Sequence, residues 1–421
     1  MRSGLRRFTA LGVLGMALVL IVAACGGDDP TPTPVPKAAP APTATPVPAA
    51  APTATPVPAA APKAAPKATA TPRPPTPTPA PSFDAEAYFK GKTIRLLVGY
   101  NPGGGTDAQA RYMGRGWSKF IPGNPRIVVT NLTPDLTMRN FVNAAEPDGF
   151  TIAIGATPGI FDMYESAAEF DVGNQSFIGG SSGKESFWAI WGKADDDHAL
   201  DYACLDSAMG ASDTIIVADS VPSASEIGAN VFLTSWLADQ FDLPFKIISV
   251  SSTGSASQML MLERGDVNSW TSATVWSQLP RTRPGWVKNG TLRPFADMSF
   301  PGTTQGANSE GPFSCPQVTT YMSDAQQAEW LTFNAPRTYL SKNVWGPPGM
   351  NVDVLGALRK SWVEAFTDDA FLADIAKFTG IPTILQEGAE GQEVLRSVSK
   401  SFAENQPRFK ELQKKFFNKY L

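Results

Sequence analysis

Gly103-Gly104-Gly105-Thr106-Asp107, with Arg111 four residues beyond the acid, is the group of residues most able to do chemistry in this chain. A run of glycines exposes backbone N–H groups that no side chain covers. A Thr or Asp directly after it starts a helix. Bare amides at a helix N-terminus form a site for an anion, either a phosphate or a carboxylate. The other reactive side chains are sparse. His198 is the sole histidine and lies in Asp195-Asp196-Asp197-His198. That stretch reads as a solvated acidic loop, a poor place for a buried catalytic triad or a metal cluster. Two cysteines, Cys204 and Cys315, lie far apart in sequence. A bridge between them is open in an oxidising compartment, and sequence does not fix their separation in space.

The elements around the glycine turn are those that would position it. Ile94 to Val98 reads as a buried strand, and Thr106 or Asp107 should cap a helix running to about Phe120, stopped by Pro122-Gly123. Further strands are expected at 126–130, 151–155, 214–218, 246–250 and 292–298. Helices are expected at 137–145, 227–241, 257–264, 352–366, 370–378 and 389–402. Alternating strands and helices imply parallel sheets with helices on both faces, with ligands at the carboxyl ends of the strands. Four loops would share that edge: Asn101 to Asp107, Ala156 to Gly159 with Thr157, Asp219 to Ser225 with Ser220 and Ser223, and Ser251 to Ser255. Each is plain helix-capping chemistry when taken singly. Together they suggest a polar cleft of hydroxyls and amides.

Two nucleotide readings of the glycines fail on their own terms. Gly103 to Ala108 fits G-x-G-x-x-A, but the next strand ends at Asn131 rather than at an acid that would hold a ribose. Gly179-Gly180-Ser181-Ser182-Gly183-Lys184-Glu185 lacks the glycine spacing of a P-loop, and Glu185 stands where a magnesium-binding hydroxyl belongs. No cofactor is implied.

The N-terminal residues predict a chain outside the cytoplasm. Arg2, Arg6 and Arg7 precede an apolar run to Ala24, a secretory signal over 1–24. Val22-Ala23-Ala24-Cys25 resembles the lipobox of bacterial lipoproteins, which implies cleavage before Cys25 and a lipid on its thiol. An ordinary signal with an incidental cysteine is the alternative. Residues 30–81 hold 19 of the 38 prolines, and a decapeptide at 41–50 repeats at 51–60. Such a segment buries no core, so 25–82 reads as a disordered stalk. At ~3.1 Å per residue the proline-rich part, 30–81, would reach roughly 160 Å when stretched. From residue 82 onward acidic residues outnumber basic ones by about nine, which argues against nucleic acid as partner. Anion affinity must then come from local amides and dipoles rather than from net field.

Longer motifs give a family resemblance. Pro102-Gly103-Gly104-Gly105-Thr106-Asp107 followed by Ala110-Arg111 is similar to the P-G-G-G-T-D-x-x-A-R signature of the solute receptors of tripartite tricarboxylate transporters, the Bug family. Asp148 to Ile152, Val250 to Ser255, Leu262 to Val267, Val287 to Arg293 and Trp345 to Met350 resemble further family segments in the same order. The chain departs at Asn131 to Asp135, at Ser220 to Ala224 and at Ser252-Thr253. The resemblance implies an α/β fold of the two-lobed periplasmic-binding-protein type (type II), with 91–185 and 341–421 in one lobe, 186–340 in the other and a cleft between. It implies a receptor rather than an enzyme, without metal. The receptor would hold a small organic carboxylate through amides at Asn101, Gly103, Gly104, Gly105, Thr106 and Asp107 and, facing them, Ser252, Thr253, Gly254 and Ser255. Thr157, Ser220 and Ser223 are secondary candidates. Neither loop contains Lys or Arg, so neutral amides are expected to do the binding. The partners would be a two-component membrane permease and, through Cys25, the membrane surface; a monomer is expected. A secreted dinucleotide-dependent or hydrolytic enzyme, and a stalked module that binds without transport, are the competing classes.

Overall fold

Ile94, Leu96, Leu97 and Val98 are fully buried, as a strand inside a sheet covered on both faces requires. The computed structural model describes residues 83–421, apart from 156–158, 165–166, 182–185, 220–226, 228, 251–254, 273–275, 277–278, 304–308, 341 and 380–384. The chain divides into two units, Met1–Ser82 and Phe83–Leu421, and the structure describes the second. The expected signal, Cys25 and the stalk lie outside the described residues. So do Thr157, Ser220, Ser223, Ser252, Thr253 and Gly254.

A short helix, α1 (Ala85–Phe89), leads into β1 (Thr93–Val98). Then follow α2 (Gly105–Trp117), β2 (Arg126–Asn131), α3 (Asp135–Asn143), β3 (Thr151–Gly155) and β4 (Ser176–Ser181). β1 pairs in parallel with β2 and with β3. The chain returns to this sheet much later. β10 (Asn343–Gly346) lies antiparallel between β3 and β4, and β11 (Leu385–Gln386) adds to the far side of β4. The order is β11-β4-β10-β3-β1-β2.

The second group of strands begins with β5 (Phe187–Trp191) and β6 (Ile215–Asp219). It continues through α4 (Ala229–Gln240), β7 (Phe245–Ser249), α5 (Ser255–Arg264), β8 (Ser269–Ser272), α6 (Leu279–Thr282) and β9 (Leu292–Asp297). β6 and β7 are parallel, whereas β5 is antiparallel to both β8 and β9. Asn268 joins the two sheets. Its side chain accepts from the Ile216 amide (2.6 Å) and donates to Thr214 O (2.8 Å), while its own amide donates to Ile216 O (3.2 Å). The expected all-parallel arrangement is therefore mixed. The reason is the set of strands that sequence did not distinguish: β4, β5, β8, β10 and β11. β5, Phe-Trp-Ala-Ile-Trp, is apolar on both faces and lacks the alternation that marks a half-buried strand.

Four helices complete the unit together with α7 (Asp324–Tyr339): α8 (Val352–Phe366), α9 (Asp369–Thr379), α10 (Gly388–Glu404) and α11 (Gln406–Tyr420). α8 packs on the six-stranded sheet. Trp362 meets Trp117 edge to face (5.1 Å) and stacks on Phe366 (4.4 Å). A Cβ at Gly179 would fall inside the Trp362 indole. Gly179 and Gly180 thus lie in strand β4, where Gly179 admits the indole and Gly180 the Gln386 side chain of β11, and form no phosphate loop. α11 packs on α4 and β7. Phe409 lies 4.7 Å from Phe232 and Tyr420 5.2 Å from Phe245, and Lys415 and Lys419 both reach Asp239. Cys204 and Cys315 form a disulfide, with Cα atoms 5.6 Å apart.

Candidate functional site

The glycine turn leaves the carboxyl end of β1. Gly103 has φ +83°, a conformation that L side chains rarely adopt. Gly104 is the N-cap of α2, with extended backbone and no side-chain cap. The helix therefore starts at Gly105, ahead of the expected cap at Thr106 or Asp107, and the capping hydroxyl expected there is not used. Asp107 explains the difference. From the third helical position its carboxylate reaches back to the Gly103 amide (3.0 Å), a task done from inside the first turn. Ala108 N–H is the first to bond within the helix, to Gly104 O (3.0 Å). The amides of Gly105, Thr106 and Asp107 have no acceptor among the described residues. They point out of the positive end of a 13-residue helix.

Asp107 itself is saturated. Besides Gly103 it accepts from Arg111 through both oxygens (2.8 and 3.1 Å) and from Asn131 Nδ2 (2.9 Å). Burial pushes its carboxyl up, but the bonds from Arg111, Gly103 and Asn131 outweigh that and hold it below the ordinary carboxylate value. Asn131, the last residue of β2, also donates to Tyr100 O (2.9 Å) and accepts from Arg111 (2.9 Å). The Asp and Arg of the sequence signature thus form an ion pair one helical turn apart that fixes the turn's shape, and Asn131 locks it to the neighbouring strand.

Two further layers were not legible in the sequence. Lys342, 4% exposed, precedes β10 at the edge where β3 ends, and its ammonium donates to Thr106 Oγ1 (2.9 Å). Its carbonyl accepts from the Ser181 amide (3.1 Å) at the end of β4, and Ser181 Oγ accepts from Gln109 (3.1 Å). Thr106, Gln109, Ser181 and Lys342 therefore meet at one buried corner. Burial lowers the Lys342 ammonium to about 8. The loop sequence contains no cation, as read, but the fold brings one to the turn from 236 positions away.

Behind the turn lies Arg139, fully buried on α3. It bonds Asp135 (2.7 Å), approaches Asp162 (3.5 Å) and lies under the Trp345 ring (4.8 Å). Burial raises the Asp162 carboxyl and repulsion from Asp135 adds to this; Arg139 offsets only part of it. Asp135 in turn packs against Gly99, the first residue beyond β1, leaving no room for a Cβ there.

The remaining expected residues lie elsewhere. Ser255 opens α5; the rest of its loop is outside the described residues. His198 stacks on Trp191 (5.5 Å), with Nε2 3.0 Å from Leu262 O. Asp196 accepts from the Trp191 indole (2.9 Å) and from Lys193 (2.9 Å).

No protein-family model matches the chain, and no curated protein sequence does. Solved structures do match. A periplasmic binding protein, BugD, aligns with TM-score 0.52 at 16% identity over 77% of this chain and 97% of its own. A second, from Rhodopseudomonas palustris and bound to adipate, aligns at 0.51 and 15% identity, over 74% and 95%. MatC from the same organism, with bound malate, aligns at 0.50 and 12%, over 76% and 98%. The fold is that of the BugD-type periplasmic solute-binding proteins. The resemblance carried by the glycine signature thus holds at the level of the fold, a mixed α/β architecture. Among the described residues no helix is long and apolar enough to cross a membrane.

Proposed function

We propose that this chain is an extracytoplasmic receptor that binds a small organic carboxylate, without chemistry, and delivers it to a membrane permease. The observation that carries the reading is the first turn of α2: three adjacent amides, Gly105, Thr106 and Asp107, without acceptors among the described residues, at the positive end of a helix held rigid by Asp107, Arg111 and Asn131. Such a turn favours an anion and costs little to order on binding, because its shape is set beforehand. The fold supports the reading, since proteins of the same fold bind malate and adipate.

In this reading Asn101, Gly103, Gly104, Gly105 and Thr106 form one wall of the site, with Asp107 shaping it. Ser252, Thr253, Gly254 and Ser255 would form the facing wall, with Thr157, Ser220 and Ser223 as secondary contributors. The walls belong to two lobes, 91–185 with 341–421 and 186–340, which close over the ligand. The lipid on Cys25 and the proline-rich stalk tether a monomer to the membrane surface and let it reach a two-component permease.

The test is unfolding of the purified chain against a panel of organic acids that includes malate and adipate, followed by calorimetry on any hit. A ligand at a hundred times its Kd should stabilise the protein by ~2.7 kcal/mol. A panel of mono-, di- and tricarboxylates that leaves the melting temperature unmoved overturns the reading.

A further inference from the structure

A buried ammonium without a carboxylate partner is uncommon in folded proteins, because desolvating the charge is costly unless something compensates it. Among the described residues Lys342 is such a group. Its Nζ has one hydrogen-bond partner among the described residues, the neutral hydroxyl of Thr106, and no carboxylate within 4.0 Å. The nearest acid along α2, Asp107, is committed to Gly103, Arg111 and Asn131. Thr106 is itself 7% exposed and is the second residue of the helix whose first-turn amides lack acceptors. Two independent sources of positive potential, a helix N-terminus and an ammonium, therefore converge on one corner, and the one described carboxylate in that turn, Asp107, is committed to other donors.

We propose that Lys342 is the ion-pairing residue of the ligand site, its ammonium meeting one carboxylate of the ligand that also rests on the amides of Gly105, Thr106 and Asp107. The inference rests on the carboxylate-receptor reading and sharpens it. Affinity comes from a charge-assisted bond as well as from neutral amides, and the required ligand class is one with an ionised carboxylate. An amide or ester of the same skeleton is rejected, because it would leave the ammonium buried and unpaired. Gln109 donates to Ser181 Oγ, and the Ser181 amide donates to the Lys342 carbonyl, so the two hold the lysine's segment against α2. They act as positioning residues.

The pairing has a proton signature. The Lys342 ammonium is lowered to about 8 by burial alone. On the helix that carries Thr106, Asp107 and Arg111 pair with each other and Arg115 is exposed, and from β4 the Ser181 amide reaches the lysine at its backbone carbonyl. A carboxylate arriving at Nζ raises the lysine again, so binding at pH 8 should take up close to half a proton per ligand.

The experiment is calorimetry of the purified chain with malate and adipate at pH 8, in two buffers of different ionisation heat, beside Lys342→Met and Lys342→Gln. The wild type should take up protons, and both variants should bind roughly 10- to 100-fold more weakly with no uptake. The diamide of each acid, which keeps no carboxylate, should bind the wild type at least as weakly as the acid binds Lys342→Met. Proton uptake by the wild type is readable even if a variant fails to fold. If the acids bind with no uptake, or bind the folded variants unchanged, Lys342 is a structural residue and the inference falls while the receptor reading stands. If no acid of the panel binds the wild type, both fall together.

Discussion

Lys342 Nζ and Thr106 Oγ1 lie 2.9 Å apart across 236 positions of sequence, tying the start of β10 to the start of α2. The bond puts a cation that sequence would assign to solvent at the mouth of the glycine turn. Burying that ammonium opposite a neutral hydroxyl costs stability.

The cost is measurable in the ligand-free protein. Lys342 titrates near 8 in the folded chain and near 10.5 when unfolded. Between those values the unfolded state binds more protons, so stability rises with pH across that window, and below pH 8 the penalty is present in full. Lys342→Met should therefore raise the stability of the free protein at pH 7, by about 1–3 kcal/mol after allowing for the lost Thr106 bond. The gain should vanish by about pH 10.5. Urea unfolding at pH 7 and pH 10 reads it; a variant less stable than wild type at pH 7 would mark Lys342 as a structural strut.

Asp107 should behave in the opposite sense. Its carboxyl is held below the ordinary value, so its contribution is present above the unfolded value and is lost as pH falls through the folded one. Asp107→Asn places an amide N–H among donors from Gly103, Arg111 and Asn131. A loss of about 2–4 kcal/mol at pH 7 is expected, with a flatter decline in acid. Carboxylate binding should weaken too, because the turn that aims the amides is no longer fixed. Unfolding between pH 3 and 7 separates this from a simple surface effect.

The parts of this site that sequence could reveal are the local ones. The glycine turn, Asp107 and Arg111 lie within nine residues, and an i,i+4 pair on a helix reads directly from spacing. Val352–Phe366 matches its expected helix at both ends, because Asn351 caps it and its apolar faces repeat at helical spacing. Lys342 and Arg139 could not be read in this way. Nothing in Ser341-Lys342-Asn343 marks the lysine as buried; its burial follows from β10 inserting between β3 and β4. Gly179-Gly180 resembled a loop because the reasons for two glycines in a strand, the Trp362 indole beside Gly179 and the Gln386 side chain beside Gly180, come from distant elements.

Arg139 sits between Asp135 and Asp162 with no exposed surface. Arg139→Met would leave two carboxylates facing each other in a low-dielectric site, a loss of about 3–5 kcal/mol at pH 7. Asp162 is already raised by burial, so its contribution to stability is greatest below the ordinary carboxylate value and is lost as pH rises through the folded one. Without Arg139 it should be raised further. The deficit of Arg139→Met should therefore shrink as pH is lowered from 7 towards 4.5, and Asp162→Asn in the same background should restore part of it at pH 7. A deficit independent of pH would mean that lost packing under Trp345, not charge, sets the cost.

The Cys204–Cys315 bridge closes a loop of 111 residues that contains β6, β7, β8 and β9. Restricting so long a loop in the unfolded chain is worth up to ~4.7 kcal/mol in the entropic model and commonly 2–4 in practice. Cys204→Ala with Cys315→Ala should therefore lower stability by about 2–4 kcal/mol, and reductant should destabilise the parent chain but not the double variant. The loss should be localised. The six-stranded sheet and the turn at Gly105 draw no strand from inside the loop. Amide exchange should therefore accelerate in 215–249 well before 93–131. Uniform acceleration across both would show that the two groups of strands unfold as one cooperative unit.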